Sequence, residues 1–254
     1  MLLPQLPSPT GRGIEGEGKR QRKPVYNTSM ILWLNRKATD VATQQKIELE
    51  RRRPIAIIRL DDLSEAVNMS RALVEGGITA LEFTLTNREA LQAVQAAREA
   101  LGSTAQVGAG TVTTADDARA SIEAGAEFLV TPVLLPDVIA VAREANVVIM
   151  CGAFSPTEIW TAWQHGADFV KVFPARSLGP SYLKDVLAPL PDLRLVPTGG
   201  VSIENCAAFL AAGAYTVALG SNLVDKDVIR RKDWAALTET ARRHVEACKV
   251  EVTK

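Results

Sequence analysis

The sequence predicts a (β/α)₈ barrel, and three observations carry that expectation. From residue 54 onward, short apolar runs rich in β-branched residues alternate with amphipathic stretches of helical period. Eight such pairs follow one another at spacings near 20 residues, and eight βα units are the number that closes a parallel sheet on itself. The chain has 254 residues, 47% of them hydrophobic, which suits one barrel of about 250 residues with a single large core. An open, doubly wound sheet is the alternative for the same alternation, but no cue in the strand order favours it.

Strands are expected at 55–60, 78–84, 105–109, 127–131, 147–151, 168–173, 194–198 and 216–220. Helices are expected at 62–76, 87–101, 114–124, 135–145, 155–165, 180–189, 202–212 and 233–247. Gly76-Gly77, Gly125, Gly166 and Gly213 each follow a helix and precede a strand, the place for a left-handed C-terminal cap. Ser155-Pro156-Thr157-Glu158 reads as a capping box with proline at the first helical position. Ser202-Ile203-Glu204 reads as the opening of another helix. Residues 31–53 are read as a helix covering the barrel bottom, so the barrel itself spans 54–254. Residues 1–30 hold four prolines, four glycines and the basic run Lys19 to Lys23 with few apolar residues, and read as a disordered extension. They lack the apolar stretch of a secretory signal, and Glu15 and Glu17 disfavour a transit peptide.

Charge and cysteine content narrow the function classes. Residues 1–53 carry 11 Lys/Arg and 5 Asp/Glu, whereas the rest carry 18 and 24. A barrel with that acidic balance is a poor nucleic-acid surface. Cys151, Cys206 and Cys248 are an odd count without close spacing, which argues for free thiols in a reducing compartment, here the cytoplasm. The two histidines, His165 and His244, form no cluster of zinc-ligand spacing with them, so no metal and no cofactor is expected. No apolar run is long enough to span a membrane.

Lys171 stands out against this background. Residues 54–225 contain only two lysines, and Lys184 sits at what reads as an exposed helix start. Lys171 interrupts the strand run Asp168-Phe169-Val170-Lys171-Val172-Phe173-Pro174. A buried ammonium must be paired or lose its proton, and a neutral amine attacks carbonyl carbon. An ordinary lysine, with a pKa near ~10.4, is neutral in only about one molecule in two thousand at pH 7. Bringing it near ~7.5 takes about 4 kcal/mol of differential destabilisation of the ammonium.

In the second strand, alternation turns Leu81, Phe83 and Leu85 toward the helices and Ala80, Glu82, Thr84 and Thr86 into the barrel. An inward carboxylate is costly unless it is paired or working. Arg59 shares a face with Ile55 and Ile57 and ends the first strand. A structural Arg59–Glu82 ion pair is the plain alternative. In the functional reading, Glu82 opposes deprotonation of Lys171, while Arg59 offsets part of that and keeps Glu82 ionised as a base.

Small residues mark the remaining strand ends. Val107-Gly108-Ala109-Gly110-Thr111 ends the third strand, where backbone N–H groups could approach an anion. Thr198-Gly199-Gly200-Val201-Ser202 and Leu219-Gly220-Ser221-Asn222 close the seventh and eighth strands, the usual phosphate-binding position of this barrel. Cys151 reads as a small filler at the end of the fifth strand, facing the cavity, and His165 as a helix-end residue. Trp33, Trp160, Trp163 and Trp234 lie outside the strands and read as packing residues.

Six segments together resemble the bacterial 2-keto-3-deoxy-6-phosphogluconate/4-hydroxy-2-oxoglutarate aldolase family. They are Ile55-Ala56-Ile57-Ile58-Arg59, Leu81-Glu82-Phe83-Thr84-Leu85-Thr86, Val107-Gly108-Ala109-Gly110-Thr111, Val130-Thr131-Pro132, Lys171-Val172-Phe173-Pro174-Ala175 and Pro197-Thr198-Gly199-Gly200-Val201. They stand in family order over about residues 45–250. The resemblance implies a metal-free, class I aldolase on a TIM barrel, commonly a homotrimer, that takes a phosphorylated keto-sugar acid and releases pyruvate. It makes Lys171 the Schiff-base lysine and Glu82 the general acid/base. Arg59, Thr86, Thr111 and Pro132 would line the pyruvyl pocket, and Gly199, Gly200, Gly220 and Ser221 would hold the phosphate. Thr198 points by the same resemblance to the gluconate series, with the galactonate epimer and 4-hydroxy-2-oxoglutarate as rivals. The chain has Thr86 where some members have arginine, which leaves carboxylate recognition to Arg59, and Cys151-Gly152 where many have proline-glycine. From another class, the rival is a non-catalytic barrel that binds a phosphorylated metabolite. Such a binder would need neither Lys171 nor Glu82.

One consequence concerns the extension. A chain starting at Met30 is expected to keep the melting temperature and activity of the full chain, because residues 1–30 lack the apolar periodicity needed to dock. A stability loss above about 1 kcal/mol on truncation would show that they pack.

Overall fold

The structure, a computed structural model, describes residues 49–249. The strands are β1 (Ile55–Ile58), β2 (Ala80–Thr84), β3 (Gln106–Gly110), β4 (Phe128–Val130), β5 (Val148–Ala153), β6 (Phe169–Val172), β7 (Leu195–Pro197) and β8 (Ala218–Leu219). The helices are α1 (Ala66–Glu75), α2 (Ala90–Leu101), α3 (Ala115–Glu123), α4 (Pro136–Glu144), α5 (Pro156–His165), α6 (Gly179–Leu187), α7 (Cys206–Ala211), α8 (Lys226–Arg230) and α9 (Trp234–Ala247). The strands pair in parallel in the order β7-β6-β5-β4-β3-β2-β1-β8. A parallel bridge between Thr198 and Ala218 closes the ring, and Tyr215 N–H donates to the Leu195 carbonyl at 2.8 Å beside it. The chain therefore folds as the expected (β/α)₈ barrel.

Two apolar clusters share the work of holding it. Residues such as Leu81, Phe83, Ile149 and Val170 point outward and meet the buried faces of the helices. In α2 that face is Ala90, Ala93, Val94, Ala97 and Leu101, the spacing of one helical stripe. Ile55, Ile57, Ala80, Phe128, Met150 and Phe169 point inward and fill the lower barrel. Since both faces of each strand are covered, the strands read as continuous apolar runs.

Gly77, Gly125, Gly166 and Gly213 all have φ between 90° and 103°, the left-handed geometry that ends a helix without a Cβ clash. Ser155 and Glu158 form both halves of the capping box on α5. His165 Nδ1 lies 2.8 Å from the Thr161 carbonyl in the last turn of that helix. Trp160, Trp163 and Trp234 are half-buried against the outer cluster, while Trp33 lies outside the described residues.

Four readings differ from the structure. The helix expected from Ser202 begins instead at Cys206, because the Asn205 side chain accepts from Ser202 N–H at 2.8 Å and donates to the Gly200 carbonyl at 2.9 Å. Those two bonds hold the chain in a turn. Of the helix read at 31–53, only 49–53 are described, and they form no helix but a turn at Arg51-Arg52, with Arg53 N–H donating to the Glu50 carbonyl at 3.1 Å. Leu49 there is buried in the inner cluster, and its carbonyl accepts from the Tyr215 hydroxyl at 3.0 Å. Cys151 does not face the cavity: it lies mid-strand in the outer cluster with Ile149 and Ala153, and Gly152 takes the inward position. A 3₁₀ turn at Ala175–Ser177 and helix α8 were not expected. The short α8 follows from Asp225, which accepts from the N–H groups of Asp227 and Val228.

The lower barrel depends on Phe128, which is fully buried and whose ring fills the space left by Gly108. Phe128→Ala is expected to cost about 3–5 kcal/mol, read as a lower denaturant midpoint at unchanged slope. A loss under about 1 kcal/mol would contradict this packing.

Candidate active site

Climbing the inside of the barrel, apolar side chains give way to ionisable ones. On β2 the inward positions are Ala80, Glu82 and Thr84, and on β6 they are Phe169 and Lys171. Strand alternation alone carries Glu82 and Lys171 to the same height, because both follow an inward residue of the lower cluster by two. They come from opposite sides of the ring, four strands apart. Glu82 is 1% exposed and Lys171 is 4% exposed.

Glycines make room for both. A Cβ on Gly110 would lie 1.9 Å from Glu82 Oε1, so β3 yields its inward position to the carboxylate. Gly152 pairs with Lys171 across β5 and β6. A Cβ there would lie 2.4 Å from the Pro132 backbone, so the end of β4 closes in beside the lysine. The Lys171 ammonium position lies 5.2 Å from the centre of the Phe173 ring. Thr84 Oγ1 lies 3.3 Å from the Ile58 carbonyl and 2.9 Å from Thr86 Oγ1, which ties Thr86 to the wall.

The electrostatics are those of a buried, separated pair. No nitrogen–oxygen distance of 4.0 Å or less joins Glu82 to Lys171 or Arg59. The direct Arg59–Glu82 ion pair is therefore absent among the described residues. Burial pushes the Lys171 pKa below its ordinary value, the Glu82 charge opposes that, and the Arg59 guanidinium reinforces it. Burial pushes the Glu82 carboxyl above the usual carboxylate range, against the pull of Lys171 and Arg59. Desolvation thus outweighs attraction at both groups. Arg59 acts on Glu82 in the expected direction, favouring the carboxylate, but burial is the larger effect at both groups and pushes each toward its neutral form.

A cavity of about 980 Å³ opens at the carboxyl ends of the strands. Lys171, Arg59, Thr86, Thr198, Gly199, Gly200, Gly220 and Ser221 all line it. Thr111 and Pro132 do not line it. Thr111 follows β3 with φ of 56°, just past the glycine that carries Glu82, and Pro132 stands behind Gly152. Gly199 and Gly200 have φ of 82° and 86°, a double left-handed turn closed to side-chain-bearing residues. Phe173, Arg176, Asn222 and Lys226 also line the cavity, though the sequence did not mark them as site residues. Gly110 and Gly152 stood out only as small residues at strand ends, since what they accommodate comes from neighbouring strands. Arg176 and Lys226 were visible as cations one loop beyond the strand ends. A second cavity of about 220 Å³ lies between the Ser202 turn and α9 and includes neither Lys171 nor Glu82. Among the described residues, no three His, Cys, Asp or Glu gather to hold a metal ion.

Comparison with known proteins meets this geometry. A family described as KDPG and KHG aldolase matches residues 46–240. The 2-dehydro-3-deoxy-phosphogluconate aldolase of Pseudomonas aeruginosa is 36% identical over 195 residues, 76% of this chain and 88% of that protein. The KDPG aldolase of Legionella pneumophila, solved with pyruvate as a covalent carbinolamine, is 27% identical with a TM-score of 0.70, covering 75% of this chain and 92% of that one. The 2-keto-3-deoxy-6-phosphogluconate aldolase of Zymomonas mobilis, solved with 3-phosphoglycerate, is 28% identical with a TM-score of 0.72, covering 85% of this chain and 99% of that one. With the family match running through every strand from β1 to β8, the chain belongs to the KDPG and KHG aldolase family.

Proposed function

We propose that this aldolase cleaves 2-keto-3-deoxy-6-phosphogluconate reversibly to pyruvate and glyceraldehyde 3-phosphate, through an imine on Lys171. The observation that carries this reading is a buried lysine of lowered pKa at the cavity wall, with a buried carboxyl of raised pKa, Glu82, on the opposite side of the barrel interior and behind the cavity lining. The phosphorylated substrate is favoured over 4-hydroxy-2-oxoglutarate by the glycine turns at Gly199-Gly200 and Gly220-Ser221, which line the same cavity. The N–H groups of Gly200 and Ser221 make no hydrogen bond among the described residues. The carbinolamine of the Legionella relative and the phosphoglycerate of the Zymomonas relative agree with the two ends of this reading.

In the proposed reaction, neutral Lys171 Nζ attacks the keto carbon, C2, and forms a carbinolamine. Glu82, carrying a proton, gives it to the departing hydroxyl, and water leaves. The Glu82 carboxylate then takes the C4 hydroxyl proton. The C3–C4 bond breaks, its electron pair passes into the iminium, and glyceraldehyde 3-phosphate departs. Glu82 returns its proton to C3 of the enamine, and hydrolysis frees pyruvate and the amine. Arg59, whose charge reaches Lys171, is placed to hold the C1 carboxylate. Thr86 forms the wall near the pyruvyl end, with Thr111 and Pro132 behind the lining, and Thr198 forms the wall near the turns.

The same reading puts the chain in carbohydrate breakdown in the cytoplasm, as a homotrimer. Val133 and Phe154, 55% and 43% exposed on the loops after β4 and β5, supply apolar surface for contact between copies. No helix among the described residues is long and apolar enough to cross a membrane.

Borohydride reduction in the presence of pyruvate is expected to add one pyruvyl mass to the Lys171 peptide. Trapping that survives in Lys171→Ala would overturn the assignment. The pH dependence has a sign. A lowered pKa means that the amine becomes neutral at a lower pH than a free lysine, so reductive methylation of Lys171 by formaldehyde should reach its limit below pH 10.4. Removing the Glu82 charge should move that midpoint down, and Arg59→Gln should move it up. Opposite movements would refute the described electrostatics.

For turnover, Glu82→Gln is expected to lower kcat by about a hundred- to ten-thousandfold, because the amide keeps the shape but carries no transferable proton. Turnover within threefold of the parent would show that another group moves the proton.

A further inference from the structure

The cavity carries two arginines that make no ion pair among the described residues, and they stand at different ends. Among the described residues, neither Arg59 nor Arg176 makes an ion pair, whereas Lys226 is paired with Asp61 at 3.0 Å. Arg59 is close enough to Lys171 to shift its pKa, and Arg176 is not among the groups that do. Arg176 belongs instead to the glycine turn. Its N–H donates to the Gly199 carbonyl at 2.9 Å. Its side chain leaves the backbone along Gly200: a Cβ on Gly200 would lie 2.4 Å from Arg176 Cβ and 3.1 Å from its Nε. The missing side chain of Gly200 is thus what lets an arginine lie against the turn.

We propose that Arg176 is a specificity-determining residue, whose guanidinium pairs with the substrate phosphate at the Gly199-Gly200 turn and sets the preference for phosphorylated over unphosphorylated keto acid. The inference rests on the substrate reading above and deepens it. Backbone N–H groups accept any small anion at such a turn, whereas a guanidinium fork adds charge and matches a phosphate dianion with two parallel hydrogen bonds. The side chain is exposed at the cavity rim and has no ion-pair partner among the described residues, so substrate binding breaks no ion pair there. Arg59 holding the carboxylate and Arg176 holding the phosphate would fix the chain of the substrate across Lys171 from both ends.

The test compares 2-keto-3-deoxy-6-phosphogluconate with 2-keto-3-deoxygluconate, which has the same carbon skeleton without phosphate. Arg176→Gln should raise KM for the phosphorylated acid about tenfold, the lower end for a charge-assisted bond at an exposed site. It should leave kcat, kcat/KM for the unphosphorylated acid and borohydride trapping of pyruvate within twofold. Arg176→Lys should recover part of the loss. In the parent, KM for the phosphorylated acid should fall as the phosphate takes its second charge near pH ~6, and Arg176→Gln should flatten that dependence. An unchanged KM, or equal losses on both substrates, would overturn the role of Arg176. A parent enzyme that turns over both acids equally well would overturn the phosphorylated-substrate reading itself, and this proposal with it.

Discussion

Everything in the upper barrel depends on the cost of keeping an amine and a carboxyl out of water. Removing an ion from water costs several kcal/mol, and attraction repays it only when the partners touch. Here they do not touch: Glu82 and Lys171 are separated by more than a salt-bridge distance, and both are buried. The folded chain lowers that cost by moving both groups toward neutrality. A lowered lysine pKa and a raised carboxyl pKa suit the amine attack and proton transfer that carbinolamine formation and dehydration call for. The physical penalty and the chemical competence have the same origin.

The barrel keeps these groups in place largely by subtraction. Gly110 removes a side chain where Glu82 needs to lie, Gly152 lets the end of β4 approach the lysine strand, and Gly200 lets Arg176 settle on the turn. Each glycine serves a residue that comes from another part of the chain. The lower half shows the opposite economy. Ile55, Ile57, Phe128, Met150 and Phe169 fill the interior, and Leu49 reaches in from the segment before β1. A close-packed floor under a polar rim separates stability from chemistry within one set of strands, since alternate residues of the same strand serve each.

Much of this was legible from residue order. The alternation of apolar runs and amphipathic stretches has the two periods of strand and helix, so the eight units and their boundaries could be placed to within a few residues. The inward set Ala80, Glu82 and Thr84 followed from period two alone, and so did the shared face of Ile55, Ile57 and Arg59. The capping box at Ser155 and the helix-ending glycines are local chemistry and were visible for that reason. Where local chemistry was ambiguous, the reading slipped. Asn205 captured Ser202 and delayed α7, and Cys151, read at a strand end, proved to lie two residues before it and on the opposite face.

The sequence by itself determined the periodicity, the strand faces and the unusual placement of one lysine and one glutamate, because these are properties of neighbouring residues. Only the tertiary structure decided how far apart the charges sit, that burial outweighs attraction in shifting their pKa values, and which residues share the cavity. Those quantities depend on ring closure, which brings β2 opposite β6 and the turn after β7 beside the loop after β8. The outcome for Glu82 shows the difference. Its neighbours in charge were identified from the chain, and they argued for an ionised base. The depth of its burial, set by Gly110 and the closed sheet around it, pushes the carboxyl above the usual carboxylate range against their pull.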